Sequence, residues 1–157
     1  MRKLVFAIAL IAMGSLSFVS CKKDDQPATP EPLYNRLGKV DGISKVVDQF
    51  IANVAADPKM VRTFQPLLTD VKNGNTARVT ALRNNLINQI GQASGGPEKY
   101  TGKDMATAHK GMKITDDEFN SLVGDLKASL DKYSVPATEQ NELLTVLAGL
   151  KGQIVNQ

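Results

Sequence analysis

Few residues in this chain have side chains suited to metal or nucleophilic chemistry. There is one histidine, His109, and one cysteine, Cys21. Two such residues cannot supply the four ligands of a structural zinc site. Ser/His/Asp catalysis would have to use His109, and no sequence feature places a serine beside it. No phosphate-cradling glycine loop is present, because the glycines are scattered where helices stop. What remains is a lone imidazole on the apolar stripe of a short helix, with Met105 and Met112 one turn away on either side. A neutral imidazole is a common metal ligand, and it is equally at home as a partly buried structural residue. Spacing alone leaves both readings open. Met105 and Met112, soft side chains that fill irregular gaps, likewise read as cavity lining or as plain core.

Cys21 belongs to a different feature. Met1-Arg2-Lys3 forms a positive start, and Leu4 to Val19 is an apolar run shorter than the roughly 20 residues of a membrane span. The run ends at Phe18-Val19-Ser20-Cys21, which resembles a bacterial lipoprotein box whose cysteine is lipidated. Phe18 stands where Leu is usual. A single cysteine permits no internal disulfide, and an ordinary cleaved signal peptide is the other reading. Lys22-Lys23-Asp24-Asp25, followed by Pro27, Pro30 and Pro32, composes a tether that cannot pack. The charged run also resembles a lipoprotein surface-export signal; a solvated linker has the same composition. The expected organisation is a signal peptide over 1–20, a tether over 21–32 and one folded domain over 33–157. Its expected place is the cell envelope, lipid-anchored at the outer membrane.

The elements that must position His109 follow from apolar spacing. The chain is 42% hydrophobic but only 5% aromatic, with no Trp, so its core must be aliphatic. Once Arg2 and Lys3 are set aside, 17 Lys and Arg face 16 Asp and Glu. With no basic stripe, nucleic-acid binding has no electrostatic support. Leu33 to Leu37 predicts a short helix closed by Gly38. A second opens at Asp41 or Gly42 and carries Ile43, Val46, Val47, Phe50, Ile51 and Val54. Pro58 to Phe64 reads as a brief helical turn. Val79, Leu82, Leu86, Ile90 and Ala93 line a longer helix that Gly95-Gly96-Pro97 ends. The Met105–His109–Met112 helix follows. Thr115-Asp116-Asp117-Glu118 is a capping box that launches a helix through Tyr133. Pro136 suits the first turn of a last helix extending to Ile154. The fold class is all-α, with five or six helices.

Gly95-Gly96-Pro97-Glu98-Lys99-Tyr100-Thr101-Gly102-Lys103-Asp104-Met105, Ala108-His109 and Ile114-Thr115-Asp116 resemble the proximal segment of group I truncated haemoglobins. Leu33-Tyr34-Asn35-Arg36-Leu37-Gly38, Val46-Val47-Asp48-Gln49-Phe50, Asp57-Pro58, Phe64 and Val135-Pro136 fit in the same order. The resemblance spans about Leu33 to Val155. It implies a two-over-two helical sandwich around a haem b, held non-covalently since no Cys-x-x-Cys-His is present. It makes His109 the proximal iron ligand and Phe64 a contact on the porphyrin face. Tyr100 and Lys103 would contact the propionates, and Met105 and Met112 would be apolar lining.

On the distal side the sequence departs from that family. Many members place a tyrosine directly after the phenylalanine of the second helix, where this chain has Ile51. The polar positions of the long helix align with Leu82 and Leu86, and a small shift would bring in Asn85 or Gln89. The resemblance implies a diatomic gas (O2, NO or CO) as ligand; the lipoprotein box separately implies the membrane through its anchor, and a reductase partner stays open. Two further functions stay open: a haem enzyme processing nitric oxide or peroxide, and a haem-free helical interaction lipoprotein.

Overall fold

The computed structural model describes residues 30–157. The segment read as a signal peptide, Cys21 and the expected tether up to residue 29 lie outside the described residues. Seven α-helices are present among the described residues: α1 Leu33–Arg36, α2 Lys39–Ala56, α3 Val61–Lys72, α4 Ala77–Ala93, α5 Met105–His109, α6 Asp116–Lys132 and α7 Ala137–Ala148. Short 3-10 turns at Pro58–Met60 and Lys151–Gln153 precede α3 and follow α7. The all-α expectation holds. The β pairing described is a single bridge between Ile114 and Val155. No described helix is long and apolar enough to cross a membrane.

Helix α2 is the central element, packed against α4 and α6. Its inward residues Ile43, Val46, Val47, Phe50 and Val54 are all buried, and their spacing is the helical one read from sequence. Opposite them stand Ile87 and Ile90 of α4 and Leu126 and Leu130 of α6. Ser129 is fully buried, and Asn53 of α2 donates to both its hydroxyl and the Asp125 carbonyl, each at 3.0 Å. A buried polar bond of this kind fixes the register of the pair, because breaking it would strand a donor away from water. Arg36 reaches from the end of α1 to Glu139 (2.8 Å) and Glu142, which docks α7.

Four elements differ from the sequence expectation. Helix α2 begins at Lys39, because Gly38 adopts φ 80° and allows the chain to turn directly from α1 into it. The expected brief turn through Phe64 continues as the twelve-residue α3, with Pro66 inside it. Finally, Met112 lies beyond α5. Gly111 at φ 83° ends that helix, so only Met105 and His109 share its stripe. The last helix also stops at Ala148 rather than Ile154, with Gly149 and Gly152 in the segment that follows. The Thr115/Glu118 capping box is formed in both directions.

Candidate functional site

Helix α5 presents the histidine. Asp104 caps it by accepting the Thr107 N–H at 2.9 Å. The loop leading into it is stapled to α1: the Tyr34 hydroxyl donates to Glu98 at 2.8 Å, and the Tyr34 N–H donates to the Ser94 carbonyl at 2.8 Å. Gly96 sits against the Tyr34 ring so closely that a Cβ there would collide with it. His109 is half-buried, and its Nδ1 lies 2.7 Å from the Met105 carbonyl oxygen. A carbonyl only accepts, so Nδ1 carries the proton. In the neutral tautomer that this bond selects, Nε2 is the nitrogen with the lone pair, the form in which imidazole binds metals.

His109 lines a cavity of about 440 Å³. Helix α2 contributes Phe50, Ile51 and Val54, and α4 contributes Val79, Leu82 and Leu86. The His109 side adds Met112, Ile114, Phe119, Leu122 and Ile154. Helix α3 closes the cavity with Phe64, Leu67, Leu68 and Val71, spaced i, i+3, i+4, i+7. Yet α3 buries none of its residues. Its apolar face is only partly covered, through Phe64 against the core, and the remainder faces the cavity.

The polar groups on the lining are engaged elsewhere or lie outside the core. Asp48 pairs with Arg83, whose Nη2 lies 2.9 Å from Oδ2. Thr63 donates to Glu118 at 2.9 Å, and Thr76 is exposed ahead of α4. Of the predicted site residues, Ile51, Phe64, Leu82, Leu86, His109 and Met112 come together around the cavity. Three do not line it. The Tyr100 hydroxyl donates to the Lys103 carbonyl at 2.6 Å, and Lys103 is exposed. Met105 gives its carbonyl to His109, while its sulfur accepts from Gln89 at 3.4 Å. Asn85 and Gln89 also stay off the lining, so the α4 side chains facing the cavity are apolar. The α3 wall escaped sequence reading, although its spacing is visible in the chain.

Beside the cavity, Arg62 and Glu118 form a network that no sequence spacing announces. The guanidinium meets both carboxylate oxygens at 3.0 and 2.6 Å, and Thr115 donates to the same carboxylate through its N–H and its hydroxyl. Arg62, ahead of these bonds, holds the Glu118 carboxyl down at about 2, although burial alone would raise it. A lowered carboxylate contributes stability that is fully present above its ordinary value of 4.5 and is lost as pH falls toward 2. Because Arg62 is half-exposed, the contribution is on the order of 2 kcal/mol. Glu118→Gln should therefore be less stable at neutral pH, with the gap to wild type closing between 4.5 and 2. Urea unfolding across that range checks this. A gap that stays constant would show that the charge contributes nothing.

The donor set suits a particular kind of metal group. Among the described residues, no cluster of three or more His, Cys, Asp or Glu could hold a bare ion. One imidazole beside an apolar cavity suits an iron carried mainly by a large, apolar macrocycle.

Comparison with known proteins agrees. The family model described as bacterial-like globin matches residues 32–156. The group 1 truncated haemoglobin LI410 of Chlamydomonas moewusii is 30% identical over 129 residues, 81% of this chain and 70% of that protein. Group 1 truncated haemoglobin GlbN of Mycolicibacterium paratuberculosis is 28% identical over 127 residues, covering 81% and 86%. Among solved structures, the Fe(III) form of truncated haemoglobin from Tetrahymena pyriformis superposes with a TM-score of 0.71 at 23% identity, covering 81% of this chain and all of that one. The 2/2 haemoglobin of Synechococcus sp. PCC 7002, solved in the cyanomet state with covalently attached haem, gives a TM-score of 0.65 at 20% identity, covering 78% and 95%. These likenesses show the two-over-two fold.

Proposed function

The chain belongs to the bacterial-like globin family, with group 1 truncated haemoglobins as its relatives, and from that premise we propose that it holds one haem b non-covalently and binds a diatomic gas. The observation that carries this reading is His109, with Nδ1–H bonded to the Met105 carbonyl and Nε2 free beside an apolar cavity. When bound, haem supplies an iron able to take a gas molecule on its open face. His109 would bind from the proximal side, and Met112 and Phe64 would pack on the ring. Ile51, Leu82 and Leu86 would exclude water from the distal side.

A carrier or buffer suits this site better than a haem enzyme, because nitric oxide or peroxide chemistry needs a distal donor or acid. The lining provides none that is free. Nitric oxide consumption by the haem-loaded protein with a reductant tests the choice. Slow, stoichiometric binding is expected, and multiple turnovers would favour the enzyme. The Phe18-Val19-Ser20-Cys21 motif supports anchoring of the domain at the envelope through a lipidated Cys21. Fractionation tests that reading, since the full chain should sediment with membranes and a chain starting at Lys22 should not.

A further inference from the structure

The turn after His109 is strained and held from two sides. Gly111 has φ 83° and Lys113 has φ 50°, a left-handed backbone that a lysine adopts only where its surroundings enforce it. On one side, the C-terminal tail supplies the enforcement. The Lys113 N–H donates to the Gln157 carbonyl, and the Asn156 N–H to the Ile114 carbonyl, each at 2.9 Å. On the other side stands Arg62, from the first turn of α3. Its guanidinium donates to the Met112 and Lys113 carbonyls, both at 3.0 Å, while gripping the Glu118 carboxylate. The Met112 N–H in turn donates to the His109 carbonyl at 3.0 Å. An unbroken line of bonds thus runs from α3, through Met112, to the histidine.

We propose that Arg62 is the positioning residue for His109: by tying the Met112 and Lys113 carbonyls to α3 and Glu118, it makes the α3 wall and the histidine wall of the cavity one rigid unit. Only an arginine carries enough donors in one plane to serve a carboxylate and two carbonyls together. Direct hydrogen-bond partners of a metal-binding imidazole usually change metal-group affinity by about 10–100-fold, and a tie acting through the Met112 backbone should fall at the lower end of that range. The inference rests on the haem reading for its consequence, though not for the existence of the tie.

The test uses variants that separate folding from positioning. Arg62→Met strands a buried carboxylate and should destabilise the fold. Combining it with Glu118→Gln removes that charge and keeps a side chain suited to the capping box. Arg62→Lys keeps a positive charge but cannot reproduce the four bonds. Arg62→Lys should melt near wild type, and the double variant should melt no lower than Glu118→Gln alone, which serves as its folding reference. Both should lose haem to an acceptor globin about tenfold faster, with the iron–histidine stretching band of the ferrous protein shifted or broadened. In the haem-free protein, the Met112 and Lys113 amide hydrogens should exchange about tenfold faster. Wild-type exchange in the variants would overturn the tie, whether or not haem binds. Faster exchange with unchanged haem loss and an unmoved band would overturn the positioning role. Should the wild type take up no haem, the gas-binding reading falls by itself, and the positioning role falls with it.

Discussion

His109→Ala is expected to cost the protein its stable haem, with affinity falling by more than about 100-fold, beyond the range seen when only an outer-shell partner is lost. The chain has no second histidine to take over. Apolar burial against Phe64, Met112 and Leu122 would still attract a porphyrin. Burial alone has no direction, however, and would hold the ring loosely and in mixed orientations. Removing the imidazole also opens a space of its own size, so free imidazole added to the variant should restore much of the wild-type spectrum. Absorbance titration with haem, with and without imidazole, reads both effects. A variant that binds haem as tightly as wild type, with an unchanged spectrum, would remove His109 from the role. Met112, which also lines the cavity, would then be the residue to examine.

A second large effect concerns the distal face. Ile51, Leu82 and Leu86 offer no hydrogen-bond donor to a ligand. Oxygen gathers negative charge on binding iron and needs such a donor, whereas carbon monoxide and nitric oxide depend on one much less. The wild-type protein should therefore favour carbon monoxide and nitric oxide over oxygen, and in air its ferrous form should oxidise quickly. Ile51→Tyr places a phenol on α2 facing this space. A hydrogen bond to a charged acceptor is worth about 1.5–3 kcal/mol. Oxygen affinity should accordingly rise by roughly 10–150-fold, with autoxidation slowing in parallel. Ligand-exchange kinetics and the decay of the oxygen spectrum measure the two. A wild-type protein that keeps oxygen bound for hours would contradict an apolar distal site.

The helices that hold the site were largely legible in the chain, for a physical reason. Helices α2, α4 and α6 bury continuous apolar faces, so Val46, Val47, Phe50, Ile90, Leu126 and Leu130 announce themselves through their period. Stop signals such as Gly95-Gly96 and the Thr115/Glu118 box are strictly local and read equally well. Helix α3 was hidden by Pro66, which ordinarily breaks a helix interior. Its Phe64-Leu67-Leu68-Val71 stripe faces a cavity rather than a core, so length and burial gave no support to its period.

At the site, the family resemblance brought His109, Phe64, Ile51, Leu82, Leu86 and Met112 to the cavity that the structure forms. Tyr100 and Lys103 stand off the apolar lining, in the loop before α5, where the Tyr100 hydroxyl donates to the Lys103 backbone carbonyl. Their side-chain types suit carboxylates, but residue type says nothing about where an eleven-residue loop between Ala93 and Met105 carries them. Arg62 was invisible for a different reason. Its partners Met112, Lys113 and Glu118 lie 50 to 56 residues away, and two of its contacts are to backbone carbonyls that leave no mark on sequence.

The most direct test of the account is a titration of the purified chain with haem, read by the Soret band and followed by reduction and carbon monoxide. Saturation at one haem per chain, a single ferrous carbonyl form and loss of that sharp endpoint in His109→Ala are the predicted results. A chain that takes up haem without saturating, or with the same endpoint when His109 is absent, would contradict the assignment of the cavity and its histidine.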